Sequence, residues 1–215
     1  METTRGKRKG SGARTTDTRE RVIESAITLM RRSGYSGAGI NEILHDSGAP
    51  KGSLYHFFPD GKRQIASEAL AEYARRVLPL YEQALSGGGS AGERVRRLLA
   101  LGAARLEQGA FRHSCAAGCV SLDLDDEMAP VRQAVAHFFE QAVACIARHF
   151  DFGDAARTRA FAGLLMTTIE GAYVRGRAER SRAAFDEAAE WLAALAEHEA
   201  GRGQRGHATF DESST

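Results

Sequence analysis

Cys115 and Cys119 stand four residues apart with His113 just ahead of them, a grouping that could hold a metal ion or pair a thiolate nucleophile with a base. The chain offers no CxxC pair and no second His at ligand spacing, and Cys145 falls on a different predicted helix. The pattern therefore reads as small buried thiols, with a metal or thiol-redox sensor as the sharper alternative. A thiol-dependent enzyme is the remote alternative. Phosphate-binding glycine loops, a nucleophile elbow and paired carboxylates are all missing from the sequence. No metal and no cofactor is expected. A second set of residues suits another chemistry: Pro50, Lys51, Gly52, Ser53, Tyr55 and His56, followed by Lys62, gather cations, hydroxyls and bare backbone within a few helical turns. Such residues bind phosphate oxygens and reach base edges.

To act together these residues need two short helices and a tight turn. Ile40, Ile43 and Leu44 give a short amphipathic piece that ends at Ser47 and Gly48. Pro50 then opens a second piece whose apolar side is Leu54, Tyr55 and Phe58. Two short helices around a glycine turn make a helix-turn-helix, in which the first turn of the second helix meets DNA. Lys51 there adds charge and Gly52 lets the backbone approach, while Leu54 and Phe58 turn inward. Upstream, Asp17 with Glu20 reads as a capping box for a helix carrying Val22, Ile23, Ala26, Ile27 and Met30 up to Gly34.

Charge supports this reading once it is divided along the chain. The net charge is +1, yet residues 1–65 hold 12 Lys+Arg against 7 Asp+Glu, and all four lysines lie there. A basic first third on an acidic remainder is the footprint of a phosphate-binding module. Arg5, Lys7, Arg8, Lys9 and Arg14 make residues 1–16 a basic arm, expected to be flexible, that could follow phosphates or the minor groove. A nonspecific architectural DNA protein would use the same charge, but has no need of the long acidic remainder.

That remainder is helical in pattern. Ile65, Ala69, Tyr73, Val77 and Leu80 continue a long helix through Pro79, where a bend is expected. Ser90 with Glu93 caps the next helix through about Gln108, and Pro130 starts another. Phe161, Leu164, Leu165, Thr168, Ile169, Ala172 and Tyr173 form the most regular stripe, and Phe185, Ala188, Trp191, Leu192 and Leu195 the last. The fold is expected to be all-α: an N-terminal three-helix helix-turn-helix domain at 17–63, a helical ligand-binding and dimerisation bundle at 64–200, and a disordered tail at 201–215. Three cysteines do not make a disulfide framework, and no stretch has the roughly 18 apolar residues of a membrane helix or the h-region of a signal peptide. The expectation is a cytoplasmic protein with no membrane partner.

The run INEILHDSGAPKGSLYHFFPDGK from Ile40 to Lys62 resembles the signature of the TetR family of regulators. Its Phe-Pro-Asp-Gly-Lys step, one residue longer than the commonest form, is similar to the LmrA-like, multidrug-responsive branch. Ala117-Gly118-Cys119 and Ile169-Glu170-Gly171-Ala172 leading to Ala178-Glu179-Arg180 agree with that branch. The resemblance implies a sequence-specific DNA-binding regulator: a repressor released from a palindromic operator in double-stranded DNA when a small, lipophilic inducer binds, with an activator as the alternative. It implies a homodimer, and the two last stripes, Phe161, Leu165, Ile169, Tyr173 and Ala188, Leu192, Leu195, are the expected interface. An apolar pocket among the middle helices is expected to use Phe111, Cys119, Phe138, Met166 and Trp191. Two departures stand out. Ala38 and Gly39 replace the usual hydroxyl residue before Ile40, leaving backbone N–H groups for phosphate, and Phe57 stands where a phosphate-binding His is common.

Overall fold

The computed structural model describes the backbone of residues 11–211 and the side chains of residues 17–202. Residues 1–10, most of the basic arm, and residues 212–215 lie outside the described residues. The chain forms α1 (Ser11–Gly37), α2 (Ile40–Ser47), α3 (Lys51–Phe57), α4 (Lys62–Ser86), α5 (Ala91–Gln108), α6 (Ala116–Ser121), α7 (Ala129–Ala147), α8 (Ala155–Glu179) and α9 (Ala183–Asp211), with no strand among the described residues.

Local chemistry explains most of the boundaries. Glu93 N–H donates to the Ser90 hydroxyl at 3.3 Å and Ser90 N–H donates to Glu93 at 2.8 Å, the reciprocal capping box that the spacing predicts. Pro130 lies in the first turn of α7, where its missing N–H costs nothing. Asp154 caps α8 by accepting from Arg157 N–H at 2.6 Å. Two boundaries differ from the reading of the sequence. Asp17 does not start α1, which begins at Ser11; instead it pairs with Arg21 one turn on, at 2.5 Å. At the other end α9 runs on to Asp211, past the point where a tail is expected. Helical geometry in α1 breaks at Ser33 and Gly34, the latter at φ 70°, so residues after Gly34 form a separate turn.

α1 to α3 pack as one unit on the start of α4. Leu54 and Phe58 are fully buried there, in one core with Val22, Ala26, Met30 and Ile43. α4 continues unbroken through Pro79 into the second unit, where it packs on α7 while α5 packs on α9. Gly102 lets the Phe185 ring sit directly against α5, and Phe161 packs edge-on against Phe150 and Phe152 at 5.2 and 5.1 Å to close the far end.

Candidate nucleic-acid interface and ligand cleft

α2 and α3 are short helices held by α1 rather than by their own propensity. Gly48, at φ 63°, ends α2 in the left-handed conformation and makes the turn. Arg21 on α1 donates to the Ser47 carbonyl at 3.0 Å and so satisfies the buried end of α2. With Leu54 and Phe58 facing in, α3 must present its other side: Pro50, Lys51, Gly52, Tyr55 and His56 are exposed and Ser53 is half-buried. The structure therefore brings these six residues to one surface. Gly39, in extended conformation, precedes α2 without a side-chain cap, and Ile40 is half-buried beside it. Phe57 packs edge-on between His56 and Phe58, which explains why it can replace a polar residue.

Lys62 behaves differently from Lys51. Its ammonium lies 4.2 Å from the centre of the Tyr35 ring, and partial burial lowers its pKa. Lys62 thus helps dock the start of α4 onto the end of α1, and a phosphate would have to draw it off that ring. The charge surplus of the first third also resolves more finely. Residues 1–16 carry five basic and one acidic residue, whereas 17–65 carry seven and six. Within the folded part Arg19 pairs with Glu68, Arg21 with Asp17 and Arg32 with Glu42, leaving Lys51 as the exposed cation of α3.

The end of α1 is tied to the second unit by hydrogen bonds. Ser114 N–H donates to the Arg31 carbonyl and Arg31 Nε donates back to the Ser114 carbonyl, both at 3.0 Å. Arg177 on α8 donates to the Arg32 carbonyl at 2.9 Å and lies 3.7 Å from the Cys119 sulfur. The Cys119 thiol in turn faces the Arg31 carbonyl at 3.5 Å. Ser36 N–H donates to Asp123 at 2.9 Å. The Arg31 and Arg32 carbonyls, just before the break in α1, are thus met by Ser114, by Cys119 of α6 and by Arg177 of α8. Gly34 makes the approach possible, since a Cβ there would collide with the Asp123 carboxylate and come within 2.9 Å of the Cys119 carbonyl.

Behind this junction lies an open-sided cleft of about 780 Å³ between α6, α7 and α8, walled by Leu122, Phe139, Val174 and Ala178 and carrying Cys119, Glu170 and Arg177. Glu170 is its one acid and Arg177 its one base. Gly118 seats the Glu170 carboxylate, because a Cβ there would overlap it. Burial pushes the Glu170 carboxyl up to about 7, against a smaller opposing effect from the Cys115 thiol. Desolvation likewise raises the Cys115 and Cys119 thiols, which makes both poor nucleophiles. No cluster of three metal-ligating side chains occurs among the described residues.

Several expected ligand contacts fall elsewhere. Of the five, Cys119 alone lines the cleft. Phe138 and Met166 are buried in the protomer core, with Phe138 against Tyr73 at 5.5 Å, and Phe111 lies under Arg180 in a left-handed turn after α5. Trp191 is 81% exposed on α9. Of the residues expected at a dimer interface, Phe161, Leu165, Ile169, Tyr173 and Leu192 are buried inside the protomer. Exposed on these two helices are Leu164 and Gly171 of α8 and Trp191 and Leu195 of α9, with Thr168 and Ala188 half-buried. Sequence reasoning did not single out Arg177, Asp123, Leu122 or Phe139. Glu170 carried a signal, as a lone acid between apolar stripe positions.

Residues 22–69 match the bacterial regulatory proteins of the tetR family, and residues 91–191 match the C-terminal domain of LmrA/YxaF-like transcriptional regulators. An uncharacterised HTH-type transcriptional regulator of Mycobacterium tuberculosis (strain H37Rv) is 32% identical over 175 residues, 78% of this chain and 88% of that protein. YxaF and LmrA, both of Bacillus subtilis (strain 168), are 45% and 52% identical over 69 and 65 residues, about a third of this chain and 36% and 35% of their own lengths. Among solved structures, the TetR family regulator CifR, a cysteine mutant in complex with 26-base-pair operator DNA, superposes with a TM-score of 0.69 at 21% identity, covering 88% of this chain and 98% of that one.

Proposed function

Starting from a chain that belongs to the TetR family of transcriptional regulators, with an LmrA/YxaF-like C-terminal domain, we propose that it represses transcription from a palindromic operator and lets go when a small lipophilic molecule fills the α6–α8 cleft. One observation carries the reading: Cys119 and Arg177 line the cleft and also hold the Arg31 and Arg32 carbonyls of α1. A molecule seated there competes for the same side chains that dock the DNA-binding unit. Binding that favours an undocked α1 then lowers DNA affinity by linkage.

Two copies are needed, because one seven-residue recognition helix touches too few bases and two helices about one DNA turn apart read a palindrome. The surface formed by the exposed Leu164 and Gly171, the half-buried Thr168, and Trp191 and Leu195 is where the second copy packs. Gly171 has no atom within 4 Å of a Cβ built on it, so a partner helix can approach closely there. On DNA, Lys51, Gly52 and Ser53 meet phosphate while Tyr55 and His56 reach base edges, and the backbone N–H groups of Ile40 and Asn41 add a second phosphate contact.

The test is a titration of operator DNA, taken from the flanking intergenic region, against random competitor. Specific binding by wild type with at least threefold weaker binding by Arg177→Met, at unchanged helix content and dimer mass, is the expected result. Equal competition by random DNA overturns the operator reading, and unchanged or tighter binding by Arg177→Met overturns the relay.

A further inference from the structure

Glu170 meets the Cys115 thiol but pairs with no cation among the described residues. One carboxylate oxygen, Oε1, is fully buried with no hydrogen-bond partner, beside walls of Phe139, Val174 and Leu122. A buried acceptor without a donor costs free energy, and native proteins keep few of them. The carboxyl is nevertheless given its seat, since Gly118 leaves room for it that any other residue would fill. The neighbours do not neutralise it. The thiols of Cys115, the N-cap of α6, and of Cys119 within it, with Tyr81 from α4 and Tyr173 from α8, face it, and burial holds all four in their protonated, uncharged forms. Arg177, two turns further along α8, is engaged by the Arg32 carbonyl. The terminal carboxyl bond turns easily, so an oxygen can be offered to a donor in the cleft.

We propose that the cleft takes a lipophilic amine: an apolar body against Phe139, Val174 and Leu122, with its protonated nitrogen donating to the Glu170 carboxylate. The inference rests on the reading of the cleft as the effector site. A volume of about 780 Å³ suits a drug-sized molecule. The cation supplies both the missing donor and the missing countercharge, and its own desolvation is offset by that pair. Ligand and proton compete for one carboxyl. With that group at about 7, its ionised fraction rises from about a tenth at pH 6 to about nine-tenths at pH 8, so affinity for an amine that stays protonated rises about tenfold across that range.

Isothermal titration of the full-length protein with 3,3-diphenylpropylamine and its neutral isostere 3,3-diphenylpropan-1-ol tests this. The expected result is at least tenfold tighter binding of the amine at pH 8, a drop to the level of the alcohol in Glu170→Gln, and the tenfold pH rise in wild type alone. Val174→Trp, which fills the cleft, weakens both probes. If amine and alcohol bind alike and Glu170→Gln changes neither, while Val174→Trp still weakens both, the amine class is overturned and the cleft survives as a site. If neither probe binds, or Val174→Trp leaves binding unchanged, the cleft reading falls with it.

Discussion

Replacing Lys51 with alanine should flatten the salt dependence of operator binding by a predictable amount. Lys51 is exposed in the first turn of α3, carries no ion pair among the described residues, and occurs once per protomer. Each phosphate neutralised by a cation contributes about 0.9 to the slope of log affinity against log salt, so two protomers lose about 1.8. Between 50 and 200 mM salt the advantage of wild type over the variant then shrinks about twelvefold. The arm sets the comparison. Deleting residues 2–10 removes Arg5, Lys7, Arg8 and Lys9, eight cations per dimer, and lowers the slope by up to about 7 if all touch phosphate. Fluorescence anisotropy of labelled operator at four salt concentrations measures both. A Lys51→Ala slope within about 0.3 of wild type refutes the phosphate contact. Weakened binding to the operator with unchanged binding to random DNA refutes it differently, by making Lys51 a reader of bases.

Three further variants separate surface from core and test the junction. Leu164→Arg with Trp191→Ala should convert the dimer to a monomer by size-exclusion chromatography and abolish tight operator binding at nearly unchanged protomer stability; Leu165→Ala, one residue away but fully buried, should instead destabilise by about 2–5 kcal/mol in denaturant titration. Gly34→Ala places a Cβ at φ 70° against Asp123 and the Cys119 carbonyl, and should cost about 2 kcal/mol, or about 4–8 °C in Tm, with weakened operator binding; an unchanged melt would show that the junction yields freely.

The helix-turn-helix was legible because each of its signals is local. Gly48 and Pro50 mark the turn, and the inward Leu54 and Phe58 leave only one side of α3 for Lys51, Tyr55 and His56. Helix starts fixed by a reciprocal bond, as at Ser90 and Glu93, were equally readable. Asp17 misled for a related reason: an acid near a helix start and an acid one turn before an arginine look the same in sequence. The phase of α8 was not legible. That helix is apolar or small on more than one side, so its stripe takes in Leu164 and Thr168 together with the core residues Phe161, Leu165, Ile169 and Tyr173, and periodicity alone does not separate the exposed Leu164 from its buried neighbours. The cleft was out of reach for another reason. It is assembled from α6, a six-residue helix too short for any periodicity, and from Arg177, whose role depends on carbonyls 145 residues away.

α8 therefore does three things with three sides, and their arrangement constrains the mechanism. One side is core. A second carries Glu170, Val174 and Arg177 into the cleft, and the third carries Leu164, Thr168 and Gly171 to the surface proposed for the partner. Gly171 and Val174 sit where the second and third sides meet, and Gly171 also lines the cleft. A ligand that moves α8 by even a fraction of a turn thus acts on the α1 junction and on the dimer face together. In a packed interface such shifts are taken up in steps, because side chains interlock rather than deform continuously. Effector occupancy should accordingly change the angle between the two DNA-binding units as well as the docking of each one. Two donor–acceptor labels, one placed on the exposed Asp46 of each protomer's α2, read that angle directly. A ligand that releases the operator while leaving the distance between labels unchanged would place the whole response within single protomers, and α8 would then act through Arg177 alone.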